Sequence, residues 1–141
     1  MWKALTLAFL LALLSCEPVK TQPFIGPSPV ICQSFIAATA ATTAMVRILQ
    51  AVAGKVTYLC GWNASDSGAG AGAFTLSYGT GTNCATGTVQ IGSTIALAAN
   101  GFAADHRTYA WAALPPGADV CWTVTGTGQI GLTLYYGQYG P

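Results

Sequence analysis

Val120-Cys121-Trp122-Thr123-Val124-Thr125 is followed, across Gly126-Thr127-Gly128-Gln129, by Ile130-Gly131-Leu132-Thr133-Leu134-Tyr135-Tyr136. In the first run Val120, Trp122 and Val124 alternate with Cys121, Thr123 and Thr125. In the second, Ile130, Leu132, Leu134 and Tyr136 alternate with Gly131, Thr133 and Tyr135. A period of two places the large apolar side chains on one face of an extended strand, which a helix with 3.6 residues per turn cannot do. Both segments are therefore predicted to be half-buried strands.

The same count extends upstream. Phe74, Leu76 and Tyr78 alternate with Ala73, Thr75 and Ser77, while Val56, Tyr58, Cys60 and Trp62 are predicted to share a core face opposite Thr57 and Leu59. Less regular runs lie at residues 30–37, 44–53, 88–91, 94–98 and 108–114. Residues 37–49 contain helix-compatible Ala and Met, but Thr39, Thr42, Thr43, Val46 and Ile48 are β-branched, so a turn and then a strand is expected. Gly-rich residues 67–72 read as a hairpin tip. Gly79-Thr80-Gly81-Thr82-Asn83 and Asn100-Gly101 supply turn residues that tolerate positive φ, and Pro115-Pro116-Gly117 ends one strand before the next. Eight or nine short strands in about 110 residues predict an all-β domain over residues 30–141: a two-sheet antiparallel sandwich, jelly-roll or immunoglobulin-like. No repeat of solenoid length is present.

Composition restricts function. Of 141 residues 52% are apolar and 6% charged, against roughly a quarter charged in ordinary globular chains. Only Lys3, Lys20, Arg47, Lys55 and Arg107 are basic, too few to build a phosphate-binding stripe, so no nucleic-acid partner is expected. From Glu17 onward four basic residues (Lys20, Arg47, Lys55, Arg107) meet four acidic ones (Glu17, Asp66, Asp105, Asp119), giving zero formal charge. Such a surface lacks the repulsion that keeps copies apart, so self-association is expected, with a hydroxyl-rich monomer as the alternative.

Met1-Trp2-Lys3 supplies a short positive start, and residues 4–14 form an apolar run broken only by Thr6. Such a run is too short for a bilayer-spanning helix of roughly 20 residues and fits the core of an export signal. Leu13-Leu14-Ser15-Cys16 then resembles the lipobox of bacterial lipoprotein signals, which implies lipidation of Cys16; the alternative is an ordinary secretory signal cut near the same place. A signal over residues 1–16 is thus expected. Residues 17–29 hold four prolines and read as an extended tether, and any membrane contact would run through Cys16.

Cys32, Cys60, Cys84 and Cys121 remain downstream, without a CxxC pair, and in an exported chain they read as two disulfides rather than a zinc site. Three pairings are open. The expected one joins Cys60 to Cys84, as neighbouring strand ends, and Cys32 to Cys121, fastening the first strand to a late one.

Val56-x-x-Leu59-Cys60-Gly61, Tyr78-Gly79-Thr80-Gly81-Thr82-Asn83-Cys84-Ala85-Thr86-Gly87, Leu97-Ala98-Ala99-Asn100-Gly101 and Pro116-Gly117-x-x-Val120-Cys121 occur in that order. Over residues 30–136 this pattern resembles a group of small uncharacterised β-rich proteins of bacterial and phage genomes, Tyr-Gly-Thr-Gly-Thr-x-Cys being its most specific piece. The resemblance implies a disulfide-bearing sandwich and carries over no catalytic residue.

No catalytic constellation is legible, and neither a cofactor nor a metal is expected. His106, in Asp105-His106-Arg107, is the sole imidazole and reads as a surface-loop residue; a triad would need a distant nucleophile brought to it. Asp66, Asp105 and Asp119 fall in predicted loops, without the facing pair a glycosidase needs or the dense spacing of a calcium loop. Gly126-Thr127-Gly128-Gln129-Ile130-Gly131 matches GxGxxG by letter, but a strand follows it where a dinucleotide site needs a helix. Asn63-Ala64-Ser65 matches the N-glycosylation pattern. The aromatic residues are the remaining chemical material. Trp111 with Tyr109, or Tyr135 with Tyr139, are candidate binding residues if they face solvent, whereas Trp62 and Trp122 are expected in the core.

Three functions fit. The favoured one is a non-enzymatic exported surface or assembly protein, periplasmic, extracellular or on the cell surface, which packs with itself or a partner. The alternatives are a virion-surface module and a carbohydrate-binding adhesion domain.

Overall fold

A computed structural model describes residues 31–41, 43–107 and 109–140. The expected export signal, Cys16 and the Pro-rich tether lie outside the described residues. Among the described residues nine strands form: β1 (Ser34–Ala40), β2 (Val46–Leu49), β3 (Val56–Asp66), β4 (Gly72–Thr80), β5 (Thr86–Leu97), β6 (Phe102–His106), β7 (Ala112–Ala113), β8 (Asp119–Gly126) and β9 (Ile130–Tyr139). One sheet has the order β1-β9-β3-β6, with β7 also on β3; the other runs β2-β8-β4-β5. All pairings are antiparallel.

Setting aside the two-residue β7, the chain is a long hairpin of strand pairs. β1 lies on β9, β2 on β8, β3 on β6 and β4 on β5, and successive pairs fall in opposite sheets. That wrapping is the jelly-roll solution of the two sandwiches the sequence allows. Between the sheets Trp62 meets Phe74 edge-on at 5.1 Å, and Phe74 meets Trp122 at 6.4 Å. Leu59, Leu76, Val120, Val124, Ile130, Leu132 and Leu134 complete the core. The expected inward faces of β4, β8 and β9 are the observed ones.

The predicted phase of β3 requires correction. A register shift between Leu59 and Gly61 marks a bulge, so Thr57 and Leu59 point inward before it and Trp62 and Ala64 after it, while Val56 and Tyr58 are only half-buried. One extra residue reverses the alternation, which a single-period count cannot register. The irregular runs resolve into other bounds: residues 88–91 and 94–97 belong to the single strand β5, and residues 109–114 yield only β7. Residues 102–106, read as loop, form β6. Consequently Asp66, Asp105 and Asp119 lie within strands, with Asp66 and Asp119 buried, and not in loops.

Residues 67–71 do not make a hairpin tip. They carry the chain from one sheet to the other and dock on the β8–β9 connection, where the Ser67 amide donates to the Gln129 carbonyl at 2.9 Å. Glycine is needed here for close approach. A Cβ on Gly126, at φ +95°, would lie 2.4 Å from the Ala71 carbonyl oxygen, and one on Gly128 would lie 2.1 Å from the Asp66 carboxylate.

The cysteine pairing is also corrected: Cys32 joins Cys60, and Cys84 joins Cys121, with Cα separations of 6.0 and 6.2 Å. Cys60 and Cys84 are attached to strands consecutive in sequence, but β3 and β4 lie in opposite sheets. The turn containing Cys84 instead folds against β8, whose Asp119 faces Gly79 of β4 in register. Two disulfides are the chemistry of an oxidising environment. No helix among the described residues is long and apolar enough to cross a membrane.

Candidate binding face

Alternation turns Ile36, Ala38, Trp62, Ala64, Leu132 and Leu134 toward the core, so their strand neighbours line the outer face of the larger sheet. Register arranges these in three rows across β1, β9, β3 and β6. Phe35, Tyr135, Gly61 and His106 form the first; Ala37, Thr133, Asn63 and Ala104 the second; Thr39, Gly131, Ser65 and Phe102 the third. None is charged. The patch spans about 14 Å across the strands and a similar length along them, from strand spacing and rise. Phe35 and Phe102, 70% and 69% exposed, stand at diagonal corners. Between them the small side chains leave a trough of about 290 Å³ floored by Ala37, Thr39, Asn63, Ser65 and Thr133.

At one end a polar network fixes the chemistry. Asn63 Nδ2 donates to the Tyr135 hydroxyl at 3.0 Å, so Asn63 Oδ1 is the acceptor facing His106 Nε2. His106 Nε2 therefore donates to Asn63 Oδ1, and the Tyr135 hydroxyl, which accepts from Asn63, keeps its own hydrogen free to donate. The His106 and Tyr135 rings lie 5.0 Å apart, and Phe35 packs on Tyr135 at 6.5 Å. A second hollow, about 190 Å³, adjoins this cluster between Ile31, the Cys32–Cys60 bridge and Arg107. Because the Asn63 side chain is bonded in mid-strand, the glycosylation pattern there does not present a free amide.

Of the four aromatic candidates, only Tyr135 belongs to this cluster. Tyr139 packs instead against Tyr58 at 6.2 Å, and its hydroxyl donates to the Ile31 carbonyl. Trp111 is half-buried under the Arg107 guanidinium, 5.9 Å from the ring centre, with its indole N–H buried and lacking a hydrogen-bond partner among the described residues. Tyr109 is 64% exposed in the connection between β6 and β7. Among the described residues the ring contacts of Tyr135 are with Phe35 and His106, and that of Tyr139 is with Tyr58. Sequence reasoning missed Asn63, Phe35, Phe102 and His106 as members of one surface. The available signal was the alternation of Phe102, Ala104 and His106, masked by the charged neighbours Asp105 and Arg107.

The three aspartates serve separate structural ends. Asp119 Oδ1 accepts from the Ala51 amide at 2.7 Å and Oδ2 from Arg47 at 3.1 Å. Asp105 holds Arg107, and Asp66 Oδ1 accepts from the Gly68 amide at 2.8 Å. Among the described residues no group of three or more His, Cys, Asp or Glu side chains is placed to hold a metal ion. Comparison with known proteins returns no matching family model, no matching curated protein and no matching solved structure.

Proposed function

We propose that this chain is a non-enzymatic, exported surface or assembly protein, held by two disulfides and presenting the outer face of its β1-β9-β3-β6 sheet. The observation that carries the reading is that uncharged face: twelve register positions without Asp, Glu, Lys or Arg, and two phenylalanines more than two-thirds exposed. An apolar-edged, charge-free surface gains by being covered, as interface cores do. Its remaining polar groups are hydroxyl, amide and imidazole groups with no carboxylate, ammonium or guanidinium among them, suited to a partner that brings no charge.

That same property favours one second reading, a neutral glycan ligand. The Tyr135 hydroxyl offers a hydrogen-bond donor beside the exposed Phe35 ring, the combination that orients a sugar.

Fractionation of cells expressing the full chain, with mass measurement of the mature N-terminus, tests the first reading. Recovery with membrane or medium is expected, with a diacylglyceryl mass on Cys16 if the leader acts as a lipobox. Recovery only on assembled particles moves the assignment to a virion-surface module, and cytosolic protein with four reduced downstream thiols overturns it. On a glycan array, binding lost in Tyr135→Ala and kept in Tyr109→Ala would establish the second reading; a blank array removes it.

A further inference from the structure

We propose that Cys32–Cys60 is a thiol-exchange site: a dithiol entering the hollow beside it opens that bridge in the folded protein and releases residues 31–33, while Cys84–Cys121 stays closed. This goes beyond the surface reading and shares with it only the oxidising compartment in which both bridges form.

The two bridges differ in access. Cys84 and Cys121 are fully buried, so a reagent reaches them only through unfolding. Cys32 is half-buried, and with Cys60 it lines the hollow of about 190 Å³ whose other walls are Ile31, His106, Arg107 and Tyr135. That is room for about six waters, enough for a thiol-bearing side chain and short of what a drug-sized ligand needs. None of these lining residues is acidic. Asp105 pairs with Arg107 from outside the lining, so an arriving thiolate meets a guanidinium on the wall and no carboxylate there. Accessible bridges are the ones that exchange, whereas sealed ones are inert.

The two halves of the bridge differ as well. Cys60 sits at the bulge of β3 and its carbonyl accepts from the Arg107 amide at 3.1 Å, which fixes it in the sheet. Cys32 precedes β1 and belongs to no strand; next to it, the Ile31 carbonyl accepts from the Tyr139 hydroxyl. Exchange therefore runs at Cys32. The incoming thiolate attacks Cys32 Sγ, the S–S bond breaks, and Cys60 Sγ leaves with the bonding pair and takes a proton from water. The second thiolate of the dithiol then attacks its partner sulfur in the mixed disulfide and expels Cys32 Sγ. The protein bridge is reduced by two electrons, and the dithiol is oxidised to a disulfide. β1 keeps its seven paired positions on β9, so the sandwich persists. Because Tyr135 and His106 belong both to this hollow and to the first row of the outer face, freeing residues 31–33 removes a wall beside that row and ties its access to redox state.

Excess dithiothreitol, added to the full mature protein without denaturant and followed by pulse alkylation and peptide mapping, tests this. Cys32 and Cys60 should be alkylated on the order of tenfold or more faster than Cys84 and Cys121. Core tryptophan fluorescence should stay unchanged, and amide exchange should rise at residues 31–33 but not in β4 or β8. Lys20 separates Cys16 from Cys32, so trypsin places them in different peptides. Equal rates for the two bridges, or fluorescence lost in step with the first, overturn the proposal, since reduction would then follow unfolding. A Cys32–Cys60 bridge that stays closed overturns it too. In Cys60→Ala, oxidised glutathione should cap Cys32; in Cys32→Ala it should cap Cys60 on the order of tenfold more slowly, and the reverse order refutes attack at Cys32. Where either variant fails to fold, the wild-type rates decide. Failure of the export reading is seen separately, in fractionation.

Discussion

Removing the two disulfides one at a time separates chain restriction from burial. The Cys84–Cys121 bridge spans 37 residues and Cys32–Cys60 spans 28. Loop-closure entropy in the unfolded chain then assigns about 3.8 and about 3.6 kcal/mol, a difference too small to resolve. Burial distinguishes them. Cys84 and Cys121 are both 0% exposed, whereas Cys60 is 6% exposed and Cys32 half-buried. Truncating the inner pair to alanine leaves a void in packed surroundings and adds about 1 kcal/mol or more. Cys84→Ala/Cys121→Ala should therefore cost about 5 kcal/mol, near the lower end of ordinary domain stability, and Cys32→Ala/Cys60→Ala about 3.6. Guanidinium unfolding followed by tryptophan fluorescence reads both, because Trp62 and Trp122 lie in the core. An outer-bridge variant as unstable as the inner one would refute the burial argument. Pairing is checked independently with Cys60→Ala/Cys84→Ala, which should break both bridges and release two thiols, from Cys32 and Cys121, beyond any contributed by Cys16. A count of zero would restore the pairing of Cys60 with Cys84.

Gly128→Ala should destabilise by about 1–3 kcal/mol, because its Cβ would lie 2.1 and 2.4 Å from the two Asp66 carboxylate oxygens. The double variant Asp66→Ala/Gly128→Ala should recover part of that loss in urea unfolding; additivity of the two costs would show that they do not collide. Asp119→Ala should cost about 2–3 kcal/mol, since it deprives the Ala51 amide and Arg47 of a carboxylate that is itself 7% exposed. Arg47→Ala should cost about 1 kcal/mol or less, its side chain being 39% exposed; the reverse order in thermal or chemical melts would contradict this anchoring role.

The candidate surface shows where sequence reading reached its limit. Tyr135 was legible as out of phase with Ile130, Leu132 and Leu134, and the structure places it in the outer cluster. Phe35 and Phe102 carried no equivalent mark, because each sits near the start of an edge strand, 67 residues apart in the chain, and only the order β1-β9-β3-β6 sets them on one surface. Asn63 was visible only as part of a glycosylation pattern; its bonds to Tyr135 and His106 depend on register between strands. The bulge at Cys60 explains the misplaced face of β3: Trp62 was correctly assigned to the core, but in phase with the wrong neighbours.

Local alternation determined by itself that the chain forms strands, which faces of β4, β8 and β9 are apolar, and that the core contains Trp62 and Trp122, because the side-chain period of an extended backbone is written directly in residue order. It also limited the chemistry, since nine charged residues in 141 support neither a basic stripe nor a dense acidic site. Tertiary structure alone decided which sheet each strand joins, hence the jelly-roll order, the cysteine partners and the charge-free face. Those depend on where the chain crosses between layers, at residues 67–71, at 127–129 and at four further connections, and such crossings are fixed by packing between residues far apart in sequence, which no local period encodes.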